Sequence, residues 1–302
     1  MPLNRMSVLG LVSSAFAAAA IGSAPIALAH PARPVAVKAA ACGTALSSAE
    51  LDTIVRSSDT ATLAGDSLQR LENAVWRHRE ITRILVAHGD RRGVFSLGLD
   101  AVEESAVMPL QRDPSAFLDR DYAHAISLEL LSRYLDNVHA AFGGGVVEPQ
   151  WANYFEMAQR CDVSAARLAM AGYNAHLAVD LSYSVAAVCS APRNARDYFK
   201  IVDAIATAGH VIVDRTEQVY HGDLGPLWRF YFVGEGMDLL LGRGVATGPL
   251  LRLADLGANV VIFGNGLALR DSALHDPTTT EIHLLTDTAE VAFDVLVQLR
   301  GL

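Results

Sequence analysis

The chain has little of what builds sheets and none of the short motifs that mark the common hydrolase, redox and zinc-protease sites. Aromatic residues make up 7% of it. No stretch alternates Val or Ile with polar residues between turn pairs, which excludes hairpins as its main architecture. No G-x-S-x-G, C-x-x-C or H-E-x-x-H occurs, so a nucleophile elbow, a thioredoxin-type thiol pair and a zincin helix are all absent. There is no long run of Lys or Arg, and acidic side chains (33) outnumber basic ones (24). Nucleic-acid binding by phosphate neutralisation is therefore disfavoured.

Cysteine is scarce as well: Cys42, Cys161 and Cys189. Cys161 and Cys189 flank one expected helix, where 28 residues span about 42 Å. A disulfide needs Cα atoms within roughly 7 Å, so those two should not pair. Cys42 could pair with either of them, or all three could be buried thiols. The free-thiol reading is the one preferred.

What the 302 residues do contain is 51% hydrophobic and 19% charged, rich in Ala and Leu. That is a globular composition that favours helix. At the start, Arg5 gives a positive region, residues 7–21 an apolar one, and "ALA" at 27–29 an A-x-A cleavage site. The apolar stretch is short for a membrane anchor, which needs about 20 residues. The expectation is a secretory signal over 1–29, cleaved after Ala29, with a rival cut near Ala41 and no stable membrane anchor afterwards. A lipid anchor on Cys42 is disfavoured, since that residue lies far beyond the apolar region. Cleavage removes one Arg and no acid, leaving 23 of the 24 basic side chains against 33 acidic ones and a net charge of −10. Such a surface suits a freely soluble exported protein.

The rest is read as a flexible lead-in over 30–45 and one helical domain over 46–302. Ser before the acidic turn of "SSAELDTIVRSS" marks a first helix. Asp59 to Ala87 carries a long amphipathic pattern, and "AVEESAVMPL" a short helix. Asp113-Pro114 should open a helix that stops at the glycines of 143–145, and Pro149 to Arg160 is a shorter one. Residues 163–190 are apolar on nearly every side, which places them at the centre of the fold. "APRN" at 191–194 breaks the chain before a helix from 194 or 195 to Tyr220. Two more helices follow Gly225-Pro226, and a last one runs over about 279–299. "NVVIF" at 259–263 is the only strand-like run. The fold class is all-α: a single multi-helix domain around a central apolar helix at about 163–190.

Within that central helix stand Asn174, His176 and Asp180. His176 and Asp180 are four apart and share a helix face, whereas Asn174 points to a different neighbour. The H-x-x-x-D spacing recurs at His210 and Asp214, and the preceding long helix carries His124. Imidazole and carboxylate are zinc ligands, and facing helices can aim them inward. His176, Asp180, His124, His210 and Asp214 thus form a candidate metal set, with zinc as the possible cofactor. Asn174, His176 and Asp180 form a candidate catalytic set, with His176 as general base or metal ligand and Asp180 orienting its other nitrogen. The opposing reading is that these groups satisfy one another in a packed core. Glu103-Glu104 reads as a solvated face. "VWRHREITR", with Trp76 and His78, reads as an amphipathic helix face. "GRGVATG" at 242–248 is a loop or packing segment, since it follows no strand and lacks a phosphate-loop ending. "FYF" at 230–232 with Trp228 reads as core.

"ARLAMAGYNAHLAVDLSYSVAAVC" followed by "RDYFKIVDAI" resembles an uncharacterised bacterial family, common in actinobacteria, known as a domain of unknown function of the 5995 type. Its pattern, close to G-M-N-A-H-I-N-x-D-L with a later Cys and D-Y-x-x-V-D, is matched at Gly172, Asn174, Ala175, His176, Asp180, Leu181, Cys189, Asp197, Tyr198, Val202 and Asp203. Tyr173 stands where the family has Met and Ala178 where it has a second Asn. His124, His210 and Asp214 are not in the pattern. The resemblance implies a helical fold and no known activity. Two functions remain in view: an exported hydrolase, metal-dependent or not, and a non-catalytic secreted binding or structural protein. No partner is indicated.

Overall fold

The computed structural model describes residues 33–34, 40–226 and 249–300, with backbone only for 33–34, 249–256 and 299–300. The expected signal segment, the aromatic run at 228–232 and the glycine-rich 242–248 lie outside the described residues. The fold is all-α, as the composition led one to expect.

Helix α1 (Ser48–Ser57) begins at a capping box, in which the Ser47 hydroxyl accepts from the Glu50 N–H and Glu50 reaches back to Ser47. The long pattern from Asp59 is two elements. Asp59 caps a single 3-10 turn at Thr60–Thr62, and Gly65 then takes φ +109°. That is a left-handed value that favours glycine. Asp66 starts α2 (Ser67–Ala87) with a second capping box through Gln69. The stretch holding "AVEESAVMPL" is one rod, made of α3 (Val94–Val102), a π-helical turn (Glu103–Val107) and α4 (Met108–Arg112).

Asp113-Pro114 does not open a helix. Asp113 folds back on Ser115, and α5 (Arg120–Gly143) starts at Asp119, whose carboxylate accepts from the Tyr122 N–H. The α5 rod ends as expected, at Gly144 in the left-handed conformation. Next come α6 (Pro149–Ala158), α7 (Ala165–Asn174), a second π-helical turn (Ala175–Asp180) and α8 (Leu181–Ala187). The central apolar helix is therefore one rod with a widened middle. α9 (Ala195–Tyr220), α10 (Pro249–Ala268) and α11 (His275–Arg300) complete the described fold. The strand-like 259–263 lies inside α10. The only strands among the described residues are Arg33–Pro34 and Val146–Val147, paired antiparallel.

The rod α7–α8 is the axis of the packing. Helices α3, α6 and α11 cover α7, α5 and α10 cover α8, and α9 lies along α3. Glycine permits the tightest approaches. A Cβ at Gly172 would sit 2.6 Å from the Phe95 Cβ, and one at Gly266 would collide with Val185. One group of aromatics gathers around Phe95, and a second, of Tyr198, Phe199 and Phe263, lies apart from it. Phe95 has Tyr134, Trp151, Tyr154, Tyr173 and His176 around it, at centroid distances of 4.9 to 6.3 Å. Such tilted and edge contacts add to the burial of large apolar rings. Among the described residues no helix is long and apolar enough to cross a membrane.

The free-thiol reading is overturned. Cys42 and Cys161 form a disulfide with Cα atoms 5.5 Å apart, while Cys189 is free and exposed. Cys161 and Cys189 stay apart, as the length of the helix between them requires, but nothing local to Cys42 distinguishes a free thiol from a bonded one. The bond anchors part of the lead-in. Ala41 is buried and its N–H donates to Asp90 Oδ2, while its carbonyl accepts from the Arg91 N–H. Closing a loop of 119 residues should stabilise the fold by about 2–5 kcal/mol. The paired substitution C42S/C161S should lower unfolding stability by that amount in denaturant titration. Non-reducing peptide mapping should link Cys42 to Cys161 and find Cys189 alkylated. A Cys189-containing disulfide would contradict the fold.

Candidate functional site

The second π-helical turn places the polar residues of the central helix. The Leu181 N–H donates to the His176 carbonyl five residues back, rather than four. The extra residue per turn alters which faces His176 and Asp180 present, so the i, i+4 pairing of a regular helix is loosened. His176 Nδ1 lies 4.0 Å from Asp180 Oδ2, beyond hydrogen-bond distance. Asp180 turns instead to α6. Its Oδ2 accepts from Trp151 Nε1 at 2.8 Å, and its Oδ1 from Gln150 Nε2 at 3.2 Å. His176 is left with a buried Nδ1 that has no hydrogen-bond partner. The ring lies against Phe95 and Trp151, with centroids 5.1 and 6.4 Å away.

Burial decides the charge of both groups. Desolvation, with His78 as a lesser cause, lowers the His176 pKa to about 3 and keeps the ring neutral. Desolvation, aided by the nearby Glu148 carboxylate, raises the Asp180 pKa to about 8, against the opposing pull of the Trp151 and Gln150 donors. Asn174 faces away, as expected. Its Nδ2 donates to the Thr286 carbonyl at 3.0 Å and to Glu290 Oε1 at 2.8 Å, both on α11. Glu290 also holds Arg167 of α7 at 2.7 Å, and Arg167 reaches Asp294 at 2.7 Å. Asn174 thus belongs to a polar seam between α7 and α11.

The five residues read as a metal set are not gathered. His124 is buried, with Nδ1 2.9 Å from Ser67 Oγ and Nε2 3.1 Å from the Gln111 carbonyl. His210 and Asp214 are exposed on α9. Among the described residues, the one group of three or more His, Cys, Asp and Glu with ligand atoms mutually within 4.8 Å is His78, Asp100 and Glu103.

That group was missed by the sequence reading, which assigned Glu103 to a solvated face. Glu103 is 4% exposed and His78 fully enclosed. His78 Nδ1 is 2.7 Å from Glu103 Oε2, and Nε2 is 2.8 Å from Ser96 Oγ, which lies 2.6 Å from Thr82 Oγ1. Burial raises the Glu103 pKa. Carboxylate, imidazole and hydroxyl follow the order of a nucleophilic triad. Ser96 is nevertheless wholly buried, so its hydroxyl meets no substrate. The signal that could have found His78 was present: it stands in the stripe Leu71, Val75, His78, Ile81, Leu85, all of them buried. Glu103 opens the first π-helical turn, in which the Met108 N–H reaches back to the Glu103 carbonyl. Such turns are frequent at functional sites.

Two open clefts, of about 270 and 180 Å³, share Arg133 and Glu148, and the smaller one reaches the central rod at Val179 and Tyr183. Gln150 lines the smaller one and touches Asp180 from there. Neither cleft is lined by Asn174, His176 or Asp180.

Comparison with known sequences gives one match. The model of a family of unknown function, DUF5995, covers residues 71–235, more than half of the chain, and the chain belongs to that family. The span includes both buried His–carboxylate groups. No curated protein and no solved structure matches.

The two shifted groups fix a pH dependence. Asp180 keeps its proton to about pH 8 when folded and releases it near 3.8 when unfolded. Folding therefore takes up a proton in that window, and stability falls as pH rises. His176 acts in the opposite sense between 6.5 and about 3. The two effects cancel between about 3.8 and 6.5, and of the pair only Asp180 acts from 6.5 to about 8. At about 1.4 kcal/mol per pH unit, the share of Asp180 in that loss should be roughly 2 kcal/mol across the upper window. Asp180→Asn should lose markedly less. Urea melts at pH 6.5, 7.2 and 8 test this, and equal pH slopes in the two proteins would contradict it.

Proposed function

We propose that this member of the family is an exported, non-catalytic helical protein in which Asn174, His176 and Asp180 fix the packing of the central rod. The observation that carries the reading is where their hydrogen bonds go. Asn174 spends its amide on α11 and Asp180 spends both carboxyl oxygens on α6. All three are at most 4% exposed. Asn174 and Asp180, satisfied in this way, specify one arrangement of helices in an otherwise interchangeable Ala, Leu and Val core, and the His176 ring packs between Phe95 and Trp151. A binding role is favoured by α11, whose Leu284, Val291 and Val295 are 64, 63 and 48% exposed at spacings of seven and four residues.

Export rests on the ordered n-region, h-region and A-x-A site at 5–29, and on the Cys42–Cys161 bond, which suits an oxidising compartment. The anchoring of Ala41 argues for cleavage after Ala29, because the rival cut near Ala41 would disrupt its hydrogen bonds to Asp90 and Arg91.

A second reading, acid–base hydrolysis at His176 and Asp180, is favoured by the unpartnered His176 Nδ1 and by the raised Asp180 pKa. Shifted groups of this kind cluster at active sites. One experiment separates the two. Protein collected from culture supernatant should begin at or near His30 and should show no turnover of nitrophenyl acyl or phosphoryl esters that His176→Gln abolishes. Retention of the intact chain in the cytoplasm would end the export reading. Hydrolysis lost in a folded His176→Gln protein would establish the catalytic one.

A further inference from the structure

We propose that His78, Asp100 and Glu103 form a binding site for one divalent transition-metal ion of the zinc type. Their ligand atoms lie mutually within 4.8 Å. The three come from two facing helical rods: His78 from α2, and Asp100 and Glu103 from the rod α3–α4. Asp100 and Glu103 are three residues apart, which puts them on one side of a helix. One imidazole and two carboxylates are a donor set that zinc accepts.

Three further features distinguish the group from a chance meeting of acids. The far nitrogen of His78 is held by Ser96 Oγ, itself fixed by Thr82. Anchoring the non-ligating nitrogen is how proteins set a ligand histidine's ring plane and tautomer. Second, the 2.7 Å contact between His78 Nδ1 and Glu103 Oε2 requires a proton between two acceptor atoms, and a cation bound there takes that proton's place. Third, the site has an entrance. His78 is enclosed, but the Asp100 side chain is 18% exposed and lies under Arg79. Arg79 Nε holds Asp100 Oδ1 at 2.9 Å, while its Nη2 already stands 3.7 Å from the exposed Glu104. That gives the guanidinium a second carboxylate to turn to, while Asp100 keeps an oxygen for the ion.

The site is independent of the packing role assigned to Asn174, His176 and Asp180, and the test keeps them apart. The chain from His30 onward, expressed with its disulfide and stripped with a chelator, is titrated with zinc chloride by calorimetry and by thermal melting. The expected result is one zinc per chain with a rise in melting temperature. Asp100→Asn, a change at the solvent edge that leaves the buried His78–Glu103 contact in place, should weaken zinc binding about tenfold or more. His176→Gln should leave it unchanged. Absence of a zinc-dependent rise in the unaltered chain would overturn the proposal. So would a rise that Asp100→Asn retains in full, which is surface binding, or one that His176→Gln removes, which moves the ion to the central helix.

Discussion

The indole N–H of Trp151 and the carboxyl of Asp180 meet where the central rod is widest, and the arrangement of the middle of the molecule follows from that contact. A buried donor without an acceptor costs about 1–3 kcal/mol, and a buried carboxyl without a donor costs more. Neither group can reach water, since both residues are fully enclosed. Each therefore requires the other, and the requirement fixes the register of α6 against the π-helical turn. Gln150 on the same helix takes the second oxygen, and Trp151 in turn closes the ring of aromatics around Phe95.

Both π-helical turns serve the same end. One begins at Glu103 and the other ends at Asp180, and each brings a carboxyl into the core near a histidine. The two pairs differ in what the histidine does. His78 uses both ring nitrogens, so the first pair is closed by hydrogen bonds. His176 sits beyond bonding distance from Asp180, so the second pair is held by the partners of Asp180 alone. Adding one residue to a turn is a local cost that a helix accepts when a side chain must be re-aimed. In this fold it is accepted twice, both times at a buried acid.

How much of this the sequence discloses depends on the range over which each feature is determined. Caps and breaks are local, so Ser47, Gly144 and the start of α9 were legible from a few neighbouring residues. Asp59 and Asp113 also look like helix starts but cap or turn something shorter, because the true starts at Asp66 and Asp119 lie a few residues on and win by better geometry. The centrality of 163–190 was legible from its composition. The π-helical turn inside it was not, because the gain that offsets it comes from Trp151 and Gln150 on another helix. For the same reason Asp180 was expected to serve His176. Glu103 misled because an acid beside another acid on a helix is usually solvated, and its partner lies 25 residues away. The Cys42–Cys161 bond depends on where the lead-in crosses α6, which no local pattern encodes.

The central claim is that Asp180 and Trp151 act as one unit that fixes the core. A double-mutant cycle measures it directly: Trp151→Phe, Asp180→Ala, the pair and the unaltered chain, each unfolded in urea at pH 6.5. Groups in one buried network show coupling of about 0.5–3 kcal/mol. The account predicts a coupling in that range, with the second substitution costing less once the first has been made. Effects that add to within about 0.3 kcal/mol would contradict it.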